Sequence, residues 1–360
     1  MAKRRKHITL DDIAKSLKVS RVTVSKALRG HPDISTNMTH RVKKTAEKLG
    51  YTPNIIARSL SSRRSHMIGL VVPKIAHSFF GSLIEGVYNT AFDNKYETIL
   101  TVSQENAERE RLHLKTLASM RVDGIIISIS QETEDTEQFK RIKSLGIPVL
   151  FVDRQPEPPL SGFSSVLVND REGAVKAVEQ AIKAGYRKLG LIGGMRNVNI
   201  GSQRVQGFRD ALKKNGISLH KEWIVSGGYG KDDGYSALTR MLASGSLPEF
   251  VLALTYPIAL GIYDAASKLG LRIPEDVDLI CFGDNEAGRF NAPPISVIEQ
   301  PAYELGCRAT QLLLEHIADP NPDREDHVVL PTQLVLRKTC ISKKGVQSGS
   351  TPQPKGVATA

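Results

Sequence analysis

Sixteen lysine and arginine side chains crowd the first 66 residues of this 360-residue chain, against four carboxylates, Asp11, Asp12, Asp33 and Glu47. That segment carries +12; the other 294 residues hold 33 basic and 34 acidic side chains, so the chain's net +11 comes entirely from its first fifth. Cations at this density displace condensed counterions when they meet phosphates, which is the chemistry of binding a polyanion with steep salt dependence. A solvated basic tail accounts for 2–6. It does not account for the rest, because those charges alternate with apolar residues at helical spacing: Ile13, Ala14 and Leu17, then Val24 and Leu28, then Val42, Ala46 and Leu49.

The elements that must hold these charges are three short helices. A first apolar-periodic helix stops at the polar break Lys18-Val19-Ser20, and a second begins at Arg21 with Ser20 as its N-cap. A third is capped by Ser35 and ended by Gly50. A sharp turn between the first two is the helix-turn-helix plan, in which the second helix enters the major groove of DNA. Other chemistries find little support. The nine histidines show no HExxH spacing and no GxSxG elbow is present, so no nucleophile, base and oxyanion set assembles, and neither enzymatic activity, a metal nor a cofactor is expected. Gly193-Gly194 could cradle a phosphate, but without a spaced GxGxxG pattern a tight strand-end loop is the better reading. Cys281, Cys307 and Cys340 are odd in number and lack a CxxC pair, which suits reduced thiols in a cytoplasm. No run of roughly 18 apolar residues and no signal-peptide core are present, so neither a membrane span nor export is expected.

After Arg63-Arg64 the pattern changes. Strands are predicted over 67–72, 98–102, 124–129 and 148–152, with helices over 80–94, 105–120 and 134–145 between them. The alternation begins again with strands over 165–168, 188–192, 223–226, 250–254 and 278–282, and helices over 170–184, 203–215, 232–243 and 258–269. Buried strands alternating with amphipathic helices form parallel sheets with helices on both faces. Two successive sets predict two α/β lobes, with a ligand at the carboxyl ends of the strands in the cleft between them. The fold expected is thus a small all-α helix-turn-helix domain plus an α/β core of two open parallel-sheet lobes. The tail, 342–360, has no periodicity and reads as disordered.

Several strings together resemble the LacI/GalR family of bacterial transcription repressors. They are Val19-Ser20-x-x-Thr23-Val24-Ser25, Gly50-Tyr51-x-Pro53-Asn54-x-x-Ala57-x-x-Leu60, the FVDR of 151–154, Val168-x-Asp170-x-x-Gly173-Ala174, and Gln300-Pro301. The resemblance spans about 8–341 and implies a periplasmic-binding-protein-like core. It implies a helix-turn-helix domain over 1–52, a hinge over 53–66 and a core over 67–341. Lobe 1 would take about 67–164 and 301–327, and lobe 2 about 165–298 and 328–341. It places Arg21, Val22 and Lys26 at base edges, where an arginine can take guanine O6 and N7 and a valine can lie on a thymine methyl. Thr9, Leu10, Ser20, Thr23, Ser25 and Asn54 fall among its DNA contacts, the hydroxyl and amide groups suiting phosphates; for Thr23, core packing is an equal alternative. It makes 54–60 a hinge helix that forms on operator DNA in a dimer, with Ala57 and Leu60 on one face and Leu60 wedged into a minor-groove step.

The resemblance also lines a cleft with Phe79, Phe80, Asp153, Arg204 and Tyr229, a set that suits a hydroxylated ring, and Thr255 and Asp284 are expected there as well. Two departures bear on the ligand. Thr255-Tyr256 stands where relatives usually show Asn-Asp, and Gly283 aligns with their ligand-binding Asp unless Asp284 replaces it through a shifted loop. No particular sugar or purine therefore carries over, although a carbohydrate-like metabolite is the expected effector. The tail lacks Leu-rich heptads, so a cytoplasmic homodimer on a pseudopalindromic operator is expected, with no membrane partner. The leading reading is an effector-controlled repressor. A soluble transport protein conflicts with the basic head, and a sugar- or nucleotide-modifying enzyme has no residue set to support it.

Overall fold

The computed structural model describes residues 8–51 and 64–343, apart from 286, 287, 289, 292 and 322. The chain divides into two compact units, Met1–Ser65 and His66–Ala360. In the first, α1 (Leu10–Leu17), α2 (Arg21–Leu28) and α3 (Thr36–Leu49) occur in the expected order. Their starts are set locally. Thr9 forms a reciprocal capping box with Asp12, Ser20 accepts from the Thr23 amide, and Ser35 accepts from the Met38 amide. Each cap satisfies an N–H that the first helical turn leaves without a partner. Lys18 ends α1 at φ 55° and Gly50 ends α3 at φ 70°. Ile13, Ala14, Val24, Ala27, Val42 and Ala46 close the core between the three helices. The expected hinge helix, with Asn54, Ala57 and Leu60, lies outside the described residues, as do 2–6 and 344–360 of the tail.

The second unit contains two six-stranded sheets. Its chain runs β1 (Met67–Val72), α4 (Ser78–Asp93), β2 (Glu97–Val102), α5 (Ala107–Ser119), β3 (Gly124–Ile127), α6 (Glu137–Ser144), β4 (Val149–Val152) and β5 (Ser164–Val168). There follow α7 (Asp170–Lys183), β6 (Leu189–Ile192), α8 (Asn199–Lys214), β7 (Ile224–Val225), α9 (Lys231–Ala243), β8 (Phe250–Ala253), α10 (Tyr256–Leu269) and β9 (Asp278–Phe282). Finally come β10 (Ser296–Glu299), α11 (Ala302–Ala318), β11 (His327–Leu330) and β12 (Gln333–Val335). The first sheet has the order β11-β5-β4-β3-β1-β2 and is parallel throughout. The second has the order β12-β10-β9-β8-β6-β7, parallel except for β12 at its edge.

Alternation along β1 shows why these strands read as unbroken apolar runs. Ile68, Leu70 and Val72 pack with residues of α4 and α11, while Val71 packs with Leu114, Leu117, Phe139 and Ile142 of α5 and α6. Both faces are covered, so both must be apolar. Helices α4 and α11 approach so closely that a Cβ on Gly86 would lie 2.1 Å from the Tyr303 carbonyl oxygen.

The lobe boundaries expected from the sequence need correction. The resemblance puts the strands after 164 and after 327 in lobe 2, yet Ser164 pairs with Leu150 and His327 with Ser165, so β5 and β11 complete the first sheet. Hydrophobicity marks a strand but not its partner; the ladder decides that. The chain therefore crosses between lobes after β5, after β10 and after β11. Asn169 ties the first crossing to the third: its amide donates to Leu330 O at 3.1 Å, and its Oδ1 accepts from the Thr332 amide and hydroxyl at 2.7 and 2.8 Å.

Each sheet reverses direction of growth beside its first strand, between β1 and β3 in lobe 1 and between β6 and β8 in lobe 2. Such switch points open a crevice at the strands' carboxyl ends. Gly193 and Gly194 end β6 at φ 108° and 98°, where a Cβ on Gly193 would sit 2.4 Å from Ile258 Cδ1. They form a tight strand-end turn.

Candidate nucleic-acid interface and candidate ligand cavity

Packing decides which side chains of α2 are available. Val24 and Ala27 are buried, so Arg21, Val22, Ser25, Lys26 and Arg29 share the opposite side at helical spacing. Val22 is 63% exposed and lies between Arg21 and Lys26 on that side. The combination can offer cationic donors to base edges and a methyl surface to thymine. Lys26 Nζ lies 2.7 Å from Asp33 Oδ2, and His31 Nδ1 lies 3.3 Å from the same oxygen. The Lys26 hydrogen bond and charge, with help from His31, hold the Asp33 carboxyl below its ordinary range. Arg21 has no ion-pair partner among the described residues.

The hydroxyls expected at phosphates already have work in the free protein. Ser20 Oγ accepts from the Thr23 amide at 3.0 Å and lies 2.8 Å from Thr23 Oγ1. Thr9 Oγ1 donates to Asp12 Oδ2 at 2.8 Å, and Leu10 is half-buried at the start of α1. Ser25 is half-buried on the open side of α2. The cap at Thr9 was not foreseen from the sequence, although Thr9-x-x-Asp12 is a readable capping pattern.

In the second unit a cavity of about 130 Å³ opens at the carboxyl ends of both sheets. Phe79, Phe80, Asp153, Arg204, Tyr229, Thr255 and Asp284, all seven residues expected in the cleft, line it. Arg204, carried by α8 and 2% exposed, donates from Nε to Asp170 Oδ1 at 2.7 Å and from Nη1 to the Leu254 carbonyl. Its guanidinium carbon lies 3.9 Å from the Phe282 ring centroid. Two charges taken from water this completely persist only as a well-bonded pair.

Asp153 ends β4 at φ 62°, which breaks the strand alternation and lets Arg154 line the same cavity. Asp153 accepts from Ser128 Oγ at 3.2 Å. Burial pushes its carboxyl up to about 6, against the pull of Arg154 and Arg204 nearby. Arg154 was not among the expected site residues, though it stands in the FVDR string. Its Nη1 lies 3.0 Å from both Glu105 oxygens, and its guanidinium carbon sits 5.7 Å from the Phe80 centroid and 4.8 Å from that of Tyr229. Its Nε is buried without a hydrogen-bond partner, as is Nε2 of Gln300, another cavity residue that sequence reasoning missed. Two buried donors without acceptors mark where a ligand's oxygens can be received.

The departures have definite geometry. Thr255 Oγ1 caps α10 at the Ile258 amide and donates to Tyr229 O at 2.8 Å, so it braces the cavity wall. Tyr256, another missed lining residue, is buried beside it, its hydroxyl accepting from Asn291 at 3.1 Å. Asp284 lines the cavity while both its carboxylate oxygens take the Arg337 guanidinium, Oδ1 at 2.8 Å. Across the mouth, Ser78 Oγ donates to Asp284 O at 3.0 Å. At the far side, Asn199 of lobe 2 accepts from the Gln155 amide at 2.9 Å and donates to Asp153 O at 3.1 Å. Cavity lining and lobe contact therefore share Ser78, Asp153 and Asp284.

Among the described residues, no helix is long and apolar enough to cross a membrane, and no group of three His, Cys, Asp or Glu side chains is placed to hold a metal ion.

These features define a class: a helix-turn-helix head in one chain with a two-lobed, ligand-receiving α/β core. Comparison with known proteins agrees over nearly the full length. Residues 9–54 match the family described as "Bacterial regulatory proteins, lacI family", and residues 65–339 match "Periplasmic binding proteins and sugar binding domain of LacI family". The ribose operon repressor of Haemophilus influenzae is 32% identical, covering 93% of this chain and 99% of its own. The probable HTH-type transcriptional repressor ExuR of Bacillus subtilis is 32% identical, covering 92% and 97%. The lac repressor dimer bound to operator and the anti-inducer ONPF superposes with a TM-score of 0.80 at 23% identity, covering 94% of this chain and all of its own. The chain belongs to the LacI family: it is a DNA-binding transcriptional regulator of the kind controlled by small-molecule effectors.

Proposed function

We propose that this protein is a cytoplasmic homodimeric repressor that grips a pseudopalindromic operator through α2. A carbohydrate-like effector between the lobes sets its affinity, and no catalytic step is involved. The observation that carries the reading is the buried pairing of Arg154 and Arg204 around one small cavity. Both arginines are at most 3% exposed, Phe80, Tyr229 and Phe282 lie against them, and Arg154 Nε and Gln300 Nε2 have no acceptor. Aromatic faces with convergent donors suit a single ring bearing hydroxyl or carboxylate oxygens. A volume of about 130 Å³ is close to that of a cavity known to admit one benzene-sized ring.

Thr255 and Asp284 are committed to Tyr229 O and Arg337, so the unpartnered Arg154 Nε and Gln300 Nε2, with Asp153 and Arg204 beside them on the wall, are the groups we assign to choosing the ligand. On the DNA, Arg21 and Val22 read base edges and Lys26 joins them by leaving Asp33. Ser20, Thr23, Ser25, Thr9 and Leu10 face the backbone. Asn54, Ala57 and Leu60 serve the hinge, with Leu60 as the minor-groove wedge. One relative is a ribose operon repressor, which supports the sugar-like class.

A thermal-shift screen of monosaccharides, sugar acids and nucleosides tests this reading, since a ligand of the folded core raises its melting temperature. A single-ring hydroxylated compound should raise it, and the Asp170→Asn/Arg204→Gln variant should not respond. A hit whose shift is unchanged in that variant would place the effector elsewhere.

A further inference from the structure

We propose that lobe 2 carries a second ligand site, on the side of α8 away from the interlobe cavity, which holds a compact polyanion such as a diphosphate or phosphate ester. A cavity of about 580 Å³ lies between the turn after β6, the outer side of α8 and the segment leading into β7. Arg196 of the turn, Arg209 of α8 and Lys221 before β7 line it, and no carboxylate does. None of these three cations has an ion-pair partner among the described residues. Neighbouring surface cations of lobe 2 behave differently, with Arg171 on Asp210 at 2.6 Å and Lys214 on Glu179 at 2.7 Å.

The nearby acids already have partners: Asp210 is held by Arg171 and by the wall residue Gln206, Glu222 lies 3.2 Å from His220, and Glu157 accepts from the wall residue Ser202 at 2.7 Å. Three like charges around one concavity repel one another until an anion enters, and a concave wall focuses their field on it. The volume falls in the range of small-metabolite sites rather than that of a single ion. Gly194, whose backbone the sequence offered as a phosphate cradle, lines this cavity.

The site stands on lobe 2 alone, whatever fills the interlobe cavity, yet the two share a wall. The Met195 amide, one residue before Arg196, donates to the Tyr229 hydroxyl at 3.1 Å, and the Tyr229 ring faces Arg154. Asn197, one residue after it, donates to Gln131 O at 2.8 Å and Thr133 O at 3.1 Å in lobe 1. An anion drawn to Arg196 therefore acts on a turn that touches both the effector cavity and the lobe-to-lobe contact.

Trp223 is the chain's single tryptophan and is buried two residues after Lys221 and immediately before Ile224, both of which line the site, so its emission reports on that segment. The full-length protein is titrated with sodium diphosphate at constant ionic strength, and amide exchange is mapped in parallel. The expected result is a saturable change in Trp223 emission with slowed exchange across 194–202. Binding should be at least tenfold weaker in Arg196→Gln/Arg209→Gln and also weaker in Lys221→Gln. Asp170→Asn/Arg204→Gln, which changes no side chain that lines the second site, should bind diphosphate within threefold of wild type. Protection confined to 8–51, a response equal to that of matched potassium chloride, or saturation unchanged in the double variant would each overturn the proposal.

Discussion

The exposed side of α2 and the interlobe cavity both depend on arginines, but they obtain them in opposite ways. On α2 the useful side chains are those that packing leaves out: Val24 and Ala27 take the core, and Arg21 and Val22 remain in water. In the cavity the useful side chains are those that folding draws in, with Arg154 and Arg204 3% and 2% exposed and each held by a carboxylate. An exposed charge can change with little effect on the fold, whereas a buried one cannot lose its partner cheaply. Recognition and stability are therefore separable in the head and coupled in the core.

The largest effect expected from that contrast is at Asp170. Asp170→Ala strands the Arg204 guanidinium in a buried site and should cost the core about 3–5 kcal/mol in urea unfolding. Asp170→Asn/Arg204→Gln, which removes both charges, should recover most of it. Equal losses in the two variants would break the comparison.

Next is Glu110, fully buried on α5, whose carboxylate accepts from the Ser130 amide, Thr133 and Gln138. Burial raises its pKa from 4.5 to about 7 despite those bonds. Because the folded value lies above the unfolded one, the folded state binds the extra proton. The contribution is full below pH 4.5 and is lost as pH rises through about 7. Glu110→Gln should therefore gain stability over wild type as pH is raised from 5 to 8, by up to about 3 kcal/mol. A pH-independent difference would show that Glu110 does not titrate there.

In the head the effects should be smaller and fall on DNA rather than on folding. Arg21→Ala should cost about 1–3 kcal/mol of discrimination between operator and random DNA while leaving the melting temperature of the head nearly unchanged. Equal losses on both DNAs would remove Arg21 from base readout. Smallest is Ser20→Ala, which removes the α2 cap and should cost the head about 1 kcal/mol by thermal unfolding.

The same contrast explains what the sequence revealed. In the head, starts and stops are written in single residues: Ser20, Ser35 and Gly50 cap the helices where they were expected to. Helix α8 shows the opposite case. It was predicted from 203 and begins at Asn199, with Val198 at its N-cap offering no side-chain bond. Its start is set from across the cleft, by the bonds of Asn199 to Asp153 and Gln155, which no local pattern encodes. Arg154 was hidden for a similar reason, since strand alternation would turn it away from Asp153 until the left-handed residue between strand and loop breaks the period. Gln300 and Tyr256 carry no local signal beyond their place after a strand. The Asp284–Arg337 pair joins residues 53 positions apart and is invisible to any spacing rule.

The most direct test of the account joins the two regions. An operator selected from random duplexes is titrated by fluorescence anisotropy with wild type and with Asp170→Asn/Arg204→Gln, each with and without the ligand found by thermal shift. The account predicts that the ligand changes wild-type operator affinity at least tenfold. The variant should bind the same operator within threefold of wild type and show no ligand effect. A variant that responds to the ligand as wild type does would contradict control of DNA binding from the Arg204 cavity.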